Sequence, residues 1–243
     1  LGIIGNRLHD NPYLPHRRGT IFDGVAERLG YAGFGPLLLG FSKWLCEQSC
    51  KRKVDRLYFL SRDGKIMKEA YDKVSQLYPN SPASFYLYCS RRAVNLAKVK
   101  SIQDIIDLLQ VEFAHRVSLS HLLHYRFGIN PTDIPESILS KHNYTLDTRL
   151  TAEHLPALKK LFTDISSLIL SVADKERKEY LEYLNSIGIY DSGNVAIVDI
   201  GYAGTMQESL YNLNEKNKKI SGYYLITFRK ALERLSANDL DSY

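Results

Sequence analysis

The stretch VAIVDIGYAGTMQESL, residues 195–210, decides the fold. Its opening residues are apolar and mostly β-branched, the composition of a strand buried on both faces. Asp199 follows, then Gly201, Tyr202, Ala203 and Gly204, and then Thr205 at the head of a run with helical spacing. A strand that ends on an acid and turns through glycines into a helix N-terminus is a common way to hold a phosphate.

Outward from this unit the same alternation repeats. VDRLYFL (54–60), SFYLYCS (84–90), NVAIVDI (194–200) and ISGYYLITF (220–228) read as strands. IMKEAYDKVSQLY (66–78) and MQESLYNLN (206–214) carry apolar residues at helical spacing between them. Strands alternating with helices predict an α/β fold, a parallel sheet with helices on both faces. Residues 93–186 hold no strand pattern, only helical ones, with a break at GINPTDIP. The expected organisation is therefore a linker or arm over 1–20, an α/β core over 21–92 and 187–243, and a large helical insertion over 93–186. The opening, rich in Gly, Asn, Pro, His and Arg, reads as a segment cut at a linker within a longer protein.

The 243 residues carry a formal net charge of +5, which suits an anionic ligand and is too mild to indicate nucleic acid. Three cysteines, Cys46, Cys50 and Cys89, form no CxxC pair, which argues against a disulfide framework or a zinc site and for a reducing compartment. The longest apolar run, FGPLLLGFSKWL (34–45), is shorter than the roughly 20 residues of a membrane span and is broken by Gly35, Pro36 and Gly40. It reads as a buried helix, and no transmembrane segment is expected.

Three clusters carry candidate chemistry. SRDGK (61–65) follows the first strand: Gly64 would let backbone amides approach an anion, and Arg62 and Lys65 would add charge-assisted bonds. A surface turn with solvated charges is the plain alternative. Arg91 and Arg92 end the second strand, at the same expected sheet edge, where guanidinium groups clamp phosphate. Asp199 ends a buried strand, where an acid needs a partner or a task. Thr205 is expected to cap the following helix. Ligands of such sheets bind beyond the carboxyl ends of the strands, so one shared site is expected. The histidines of the insertion, His115, His121, His124, His142 and His154, read as structural or solvated.

Taken together, the three clusters resemble the type I phosphoribosyltransferase family. SRDGK stands where that family has a pyrophosphate loop, SRR follows the second strand, and VDIGYAGT stands where a loop holds the 5-phosphate of phosphoribosyl pyrophosphate. Ile200 replaces the second acid of the family's strand-end pair, and AGT replaces TGGT. These departures are closer to a divergent branch, the phosphoribosyltransferase domains of bacterial polysaccharide assembly, often fused to a phosphatase of the haloacid dehalogenase superfamily.

The resemblance implies a glycosyltransferase that passes 5-phosphoribosyl to a sugar hydroxyl of a surface glycan. Phosphoribosyl pyrophosphate would be the donor, Mg²⁺ the cofactor and a lipid-linked glycan the acceptor, with a phosphatase fused or in trans. No side chain is assigned as a direct metal ligand. Donor binding is assigned to Ser61, Arg62, Gly64, Lys65, Arg91, Arg92, Gly201, Tyr202, Ala203, Gly204 and Thr205, and catalysis to Asp63 and Asp199. The implied location is the cytoplasm, at the inner face of the membrane, with no nucleic-acid partner. Two other readings stand beside it. One is a haloacid dehalogenase-like phosphatase in which Ser61 occupies the place of the nucleophilic carboxylate. The other is a non-catalytic scaffold or glycan-binding module.

Overall fold

The computed structural model describes residues 26–109, 117–191, 193–214, 219–235 and 240–242. The expected arm over 1–20, and His115, lie outside the described residues. Five strands form one parallel sheet: β1 (Arg56–Leu60), β2 (Ala83–Leu87), β3 (Val195–Tyr202), β4 (Ile220–Thr227) and β5 (Leu240–Ser242), in the order β2-β1-β3-β4-β5. The α/β class with helices on both faces is as the sequence indicates; β5 is an addition.

Alternation along each strand distributes its side chains between two cores. Leu57, Phe59, Ala196, Val198 and Tyr223 face α1 (Gly35–Lys51) and α2 (Gly64–Val74). Tyr58, Leu60, Val195 and Ile197 face α3 (Arg91–Ala97), the second half of α8 (Ser166–Ser186) and α9 (Thr205–Leu213). Burial on both faces is why these strands read as unbroken apolar runs. The run at 34–45 falls in α1, whose Phe41, Leu45 and Cys46 are buried against the sheet. No described helix is long and apolar enough to cross a membrane.

The helical segment has a core of its own. Phe127, Leu158, Phe162, Ile169 and their neighbours bring together α4 (Ile102–Leu109), α5 (Leu119–Phe127), α6 (Glu136–Lys141), α7 (Leu155–Asp164) and the first half of α8. Its two ends, Val94 and Ala97 in α3 and Leu184 in α8, pack on the sheet instead. The segment is thus anchored through the sheet's own helical layer. GINPTDIP does break it: Gly128 closes α5 at φ +66, and Pro131–Asp133 form a 3-10 turn.

Three local expectations are corrected. β2 stops at Leu87, so Arg91 and Arg92 do not end a strand; they open α3, where Ser90 is the N-cap and its Oγ accepts from the Ala93 amide at 3.1 Å. β3 does not end at Ile200. It pairs with β4 through Gly201↔Ile226 and Tyr202↔Thr227, leaving only Ala203 and Gly204 as the turn. Gly201 has φ +139, and a Cβ there would lie 1.9 Å from the Ile226 carbonyl oxygen, so only glycine fits this strand extension. Thr205 is not the cap of α9: Gly204, at φ +67, holds that position and Thr205 is the first helical residue.

Gly64 also has a structural reason. It is the buried first residue of α2, and a Cβ there would meet the Phe59 carbonyl carbon at 2.8 Å. Backbone cannot yield as a flexible side chain would. Alanine is worth up to about 1 kcal/mol over glycine in a helix interior, whereas overpacking costs about 1–3 kcal/mol. Gly64→Ala should therefore destabilise the fold in denaturant titration. Equal or greater stability would show that α2 is not seated on β1 so closely.

Candidate functional site

The strand order places the candidate site. The chain leaves β1 towards β2 on one side and returns as β3 on the other. The helices that follow β1 and β3 lie on opposite faces of the sheet, α2 on one and α9 on the other. Such a switch point leaves a crevice beyond the carboxyl ends of the strands. Pairing of β1 with β3 ends at Phe59↔Val198, so Asp199 is the first residue of β3 beyond it, at the mouth of the crevice. Strand alternation turns its side chain to the α3/α9 face.

A cavity of about 440 Å³ occupies this crevice. It brings together Arg62 and Asp63 after β1, Arg91 at the head of α3, and Asp199, Gly204 and Thr205 from the β3–α9 unit. Ser61 and Gly201 also line it. The three sequence-distant clusters therefore meet, as the fold rule requires. A wider groove of about 730 Å³ continues from it along α9, sharing Arg91, Gly201, Thr205 and Met206. The groove adds Asn95, Lys98 and Arg234, which the sequence reading did not single out. Lys98 Nζ donates to Ser209 Oγ at 3.2 Å, and Arg234 donates to the Ala203 carbonyl at 2.8 Å while pairing with Glu208 at 2.9 Å. Arg234 thereby fixes the turn that delivers α9 to the site.

Ser61 is a fastener. Its amide donates to the Leu87 carbonyl at 2.9 Å, its hydroxyl donates to the Cys89 carbonyl at 2.8 Å, and the Cys89 amide donates back to that hydroxyl at 2.8 Å. These bonds extend the β1–β2 ladder past the strand ends and hold the Arg62 and Arg91 segments side by side. The Ser61–Arg62 peptide bond is cis. Among the described residues the Ser61 proton goes to the Cys89 carbonyl and not to a side-chain base, whereas a serine nucleophile is activated by an adjacent base.

Charge is distributed unevenly. Among the described residues Arg62 and Arg91 form no ion pair, although Arg91 lies near enough to Asp199 to favour its charged form. Arg92 turns away and pairs with Glu176 on α8. Lys65 is exposed on α2 and lines neither cavity. Of Tyr202 only the backbone is described.

Burial pushes the Asp199 carboxyl up to about 6, and the nearby Asp63 carboxylate pushes in the same direction. The Ile200 amide, donating to Asp199 Oδ1 at 2.8 Å, and Arg91 oppose the rise without cancelling it. Burial also raises the Cys89 thiol beside the site to about 11, which keeps it protonated and unreactive near neutral pH.

The described histidines sit elsewhere. His121 and His124 are exposed against Tyr125, His142 bonds Asp164 at 2.8 Å, and His154 closes a capping box with Thr151.

The arrangement defines a class of site. It is a polar cavity at the switch point of a parallel sheet, lined by two arginines, two carboxylates and a helix N-terminus, with the Asp199 carboxyl raised to about 6. No protein-family model matches the chain, and the comparison with curated proteins returns no match.

Proposed function

We propose that the protein is a phosphoribosyltransferase-like glycosyltransferase. It transfers 5-phosphoribosyl from phosphoribosyl pyrophosphate to a sugar hydroxyl of a bacterial surface glycan and releases pyrophosphate. The observation that carries this reading is the meeting of Arg62, Arg91, the α9 N-terminus and the Asp63–Asp199 pair on one cavity. A donor with phosphate at both ends of a ribose needs two anion sites with a polar group between them, and the cavity offers that set.

In this reading Arg62 and Arg91 hold the departing pyrophosphate by charge-assisted bonds. The amides at the start of α9, together with Thr205, hold the 5-phosphate, where the helix dipole favours negative charge. Asp199, on the same cavity, is assigned to the ribose and the incoming hydroxyl. A sugar hydroxyl is a weak nucleophile, and a carboxylate with a pKa near 6 takes up its proton more readily than one near 4. Fixed donors aimed at the leaving group stabilise the charge that develops as the C1–oxygen bond breaks.

Mg²⁺ uses one or two carboxylates together with substrate phosphates, and Asp63, which lines the cavity close enough to Asp199 to raise its pKa, is the acid that would help hold it. When bound, Mg²⁺ would neutralise charge on the pyrophosphate. In this reading the acceptor is a lipid-linked glycan at the inner face of the membrane, and a phosphatase, fused or in trans, would remove the remaining phosphate.

The test is release of pyrophosphate. It should appear from phosphoribosyl pyrophosphate with Mg²⁺ only when an acceptor glycan is added, and simple phosphate esters should be left intact. Rapid ester hydrolysis would overturn the assignment in favour of a phosphatase.

A further inference from the structure

We infer that a second cleft, next to the anion pocket, is the acceptor subsite and takes the apolar face of a neutral sugar ring. The inference rests on the transferase reading for what the sugar is doing there, but not for its binding. The cleft, of about 450 Å³, shares Ser61, Cys89 and Ser90 with the anion pocket, so the two adjoin along these residues. Its remaining surface is dominated by Tyr88, Tyr180 and Tyr183.

Two of these rings, Tyr180 and Tyr183, are tied to the backbone of the third residue, Tyr88. The Tyr183 hydroxyl accepts from the Tyr88 amide at 2.9 Å, and the Tyr180 hydroxyl donates to the Tyr88 carbonyl at 3.4 Å. Tyr180 and Tyr183, three residues apart on α8, lie with ring centroids 6.0 Å apart, and Tyr183 lies 6.4 Å from Tyr88. Two phenol hydroxyls are thus used on backbone; Tyr180 and Tyr183 rest partly on the sheet core and Tyr88 meets Tyr86 edge-on at 5.2 Å, so the surface these rings leave to the cleft is carbon with few free polar groups. Tyr88 itself stays 69% exposed despite its size and its place beside the site. A rigid aromatic wall loses little entropy when a ring lies against it.

The contrast with the neighbouring cavity selects the occupant. The anion pocket has Arg62 and Arg91, whereas among the described residues no charged side chain lines the tyrosine cleft. A second anion has nothing to pair with there. A neutral ring with one C–H face and hydroxyls at its edge matches tyrosine faces bordered by Ser61 and Ser90.

The experiment is saturation-transfer NMR with a panel of methyl hexopyranosides, on wild type, Tyr88→Ala and Tyr88→Phe, with phosphoribosyl pyrophosphate titrated separately by calorimetry. At least one glycoside should receive saturation at its ring C–H protons. Tyr88→Ala should weaken that binding about tenfold, or about 1.4 kcal/mol, and Tyr88→Phe should keep it. Donor affinity should be the same in all three proteins. No glycoside binding to wild type, or equal binding to Tyr88→Ala, overturns the subsite. Binding of a nucleoside or a prenyl phosphate in place of the glycosides also overturns it. Glycoside binding that depends on Tyr88, with no donor binding by wild type, upholds the subsite and instead removes the transferase reading.

Discussion

Asp199→Asn is expected to lower turnover on the order of 10²–10⁴-fold, the range of a lost general base, while making the fold more stable at neutral pH. The two effects have one cause. In the folded protein burial holds the Asp199 carboxyl at about 6, against an unfolded value near 3.8. The folded state therefore binds the proton more tightly than the unfolded chain. The stability that Asp199 contributes is fully present below about pH 3.8 and is lost as pH rises through 6. Above pH 6 wild type carries a half-buried charge with incomplete compensation. A shift of about two units corresponds to roughly 2–3 kcal/mol.

Asparagine keeps the shape and an oxygen for the Ile200 amide but has nothing to ionise. Its stability should not fall between pH 4 and 7 through this position, and above pH 6 it should exceed wild type. In wild type kcat/KM should rise with pH through about 6, as the base of the free enzyme loses its proton. Paired denaturant titrations and rate profiles across this range check both arms. A destabilised variant with normal turnover would make Asp199 a structural acid.

Asp199 was legible in the sequence because an acid at the end of an apolar run needs a reason. The fold was legible on the same ground: β1, β3 and β4 are buried on both faces and read as unbroken apolar runs. The extension of β3 through Tyr202 was not. Glycine, tyrosine and alanine read locally as a turn, but pairing is decided by the length of β4, which supplies Ile226 and Thr227 as partners.

The helix at Arg91 did leave a signal. Ser90 three residues before Ala93 is an N-cap pattern, and the apolar spacing of Val94 and Ala97 continues it. The aromatic residues of Ser84–Tyr88 masked it by extending the strand reading. Asn95, Lys98 and Arg234 gave no local signal at all. They reach the groove from helices whose relative placement depends on the whole sheet, and α10 (Arg229–Arg234) follows β4 by a single residue. Lys65 and Arg92 show the converse. Their sequence neighbours line the site, but helical geometry rotates one to solvent and the other to Glu176.

Arg62→Ala and Arg91→Ala should each weaken binding of phosphoribosyl pyrophosphate by about 1.5–3 kcal/mol, the worth of a hydrogen bond to a charged group, and the double variant by more than either. The residues approach one cavity from different segments, after β1 and at the head of α3. Bound to the same pyrophosphate they would be coupled, so the double loss should differ from the sum of the single ones. Ribose 5-phosphate carries the phosphate assigned to the α9 N-terminus and nothing for the arginines to hold, so its affinity should hardly change. Both ligands, titrated with Mg²⁺ against wild type and the three variants, separate the two anion sites. Losses confined to phosphoribosyl pyrophosphate place the arginines at the leaving group. Equal losses for the two ligands would move them to the 5-phosphate and reverse the orientation of the donor. Failure of wild type to bind either ligand would remove the transferase and leave a scaffold that keeps an anion pocket of this geometry without a donor to fill it.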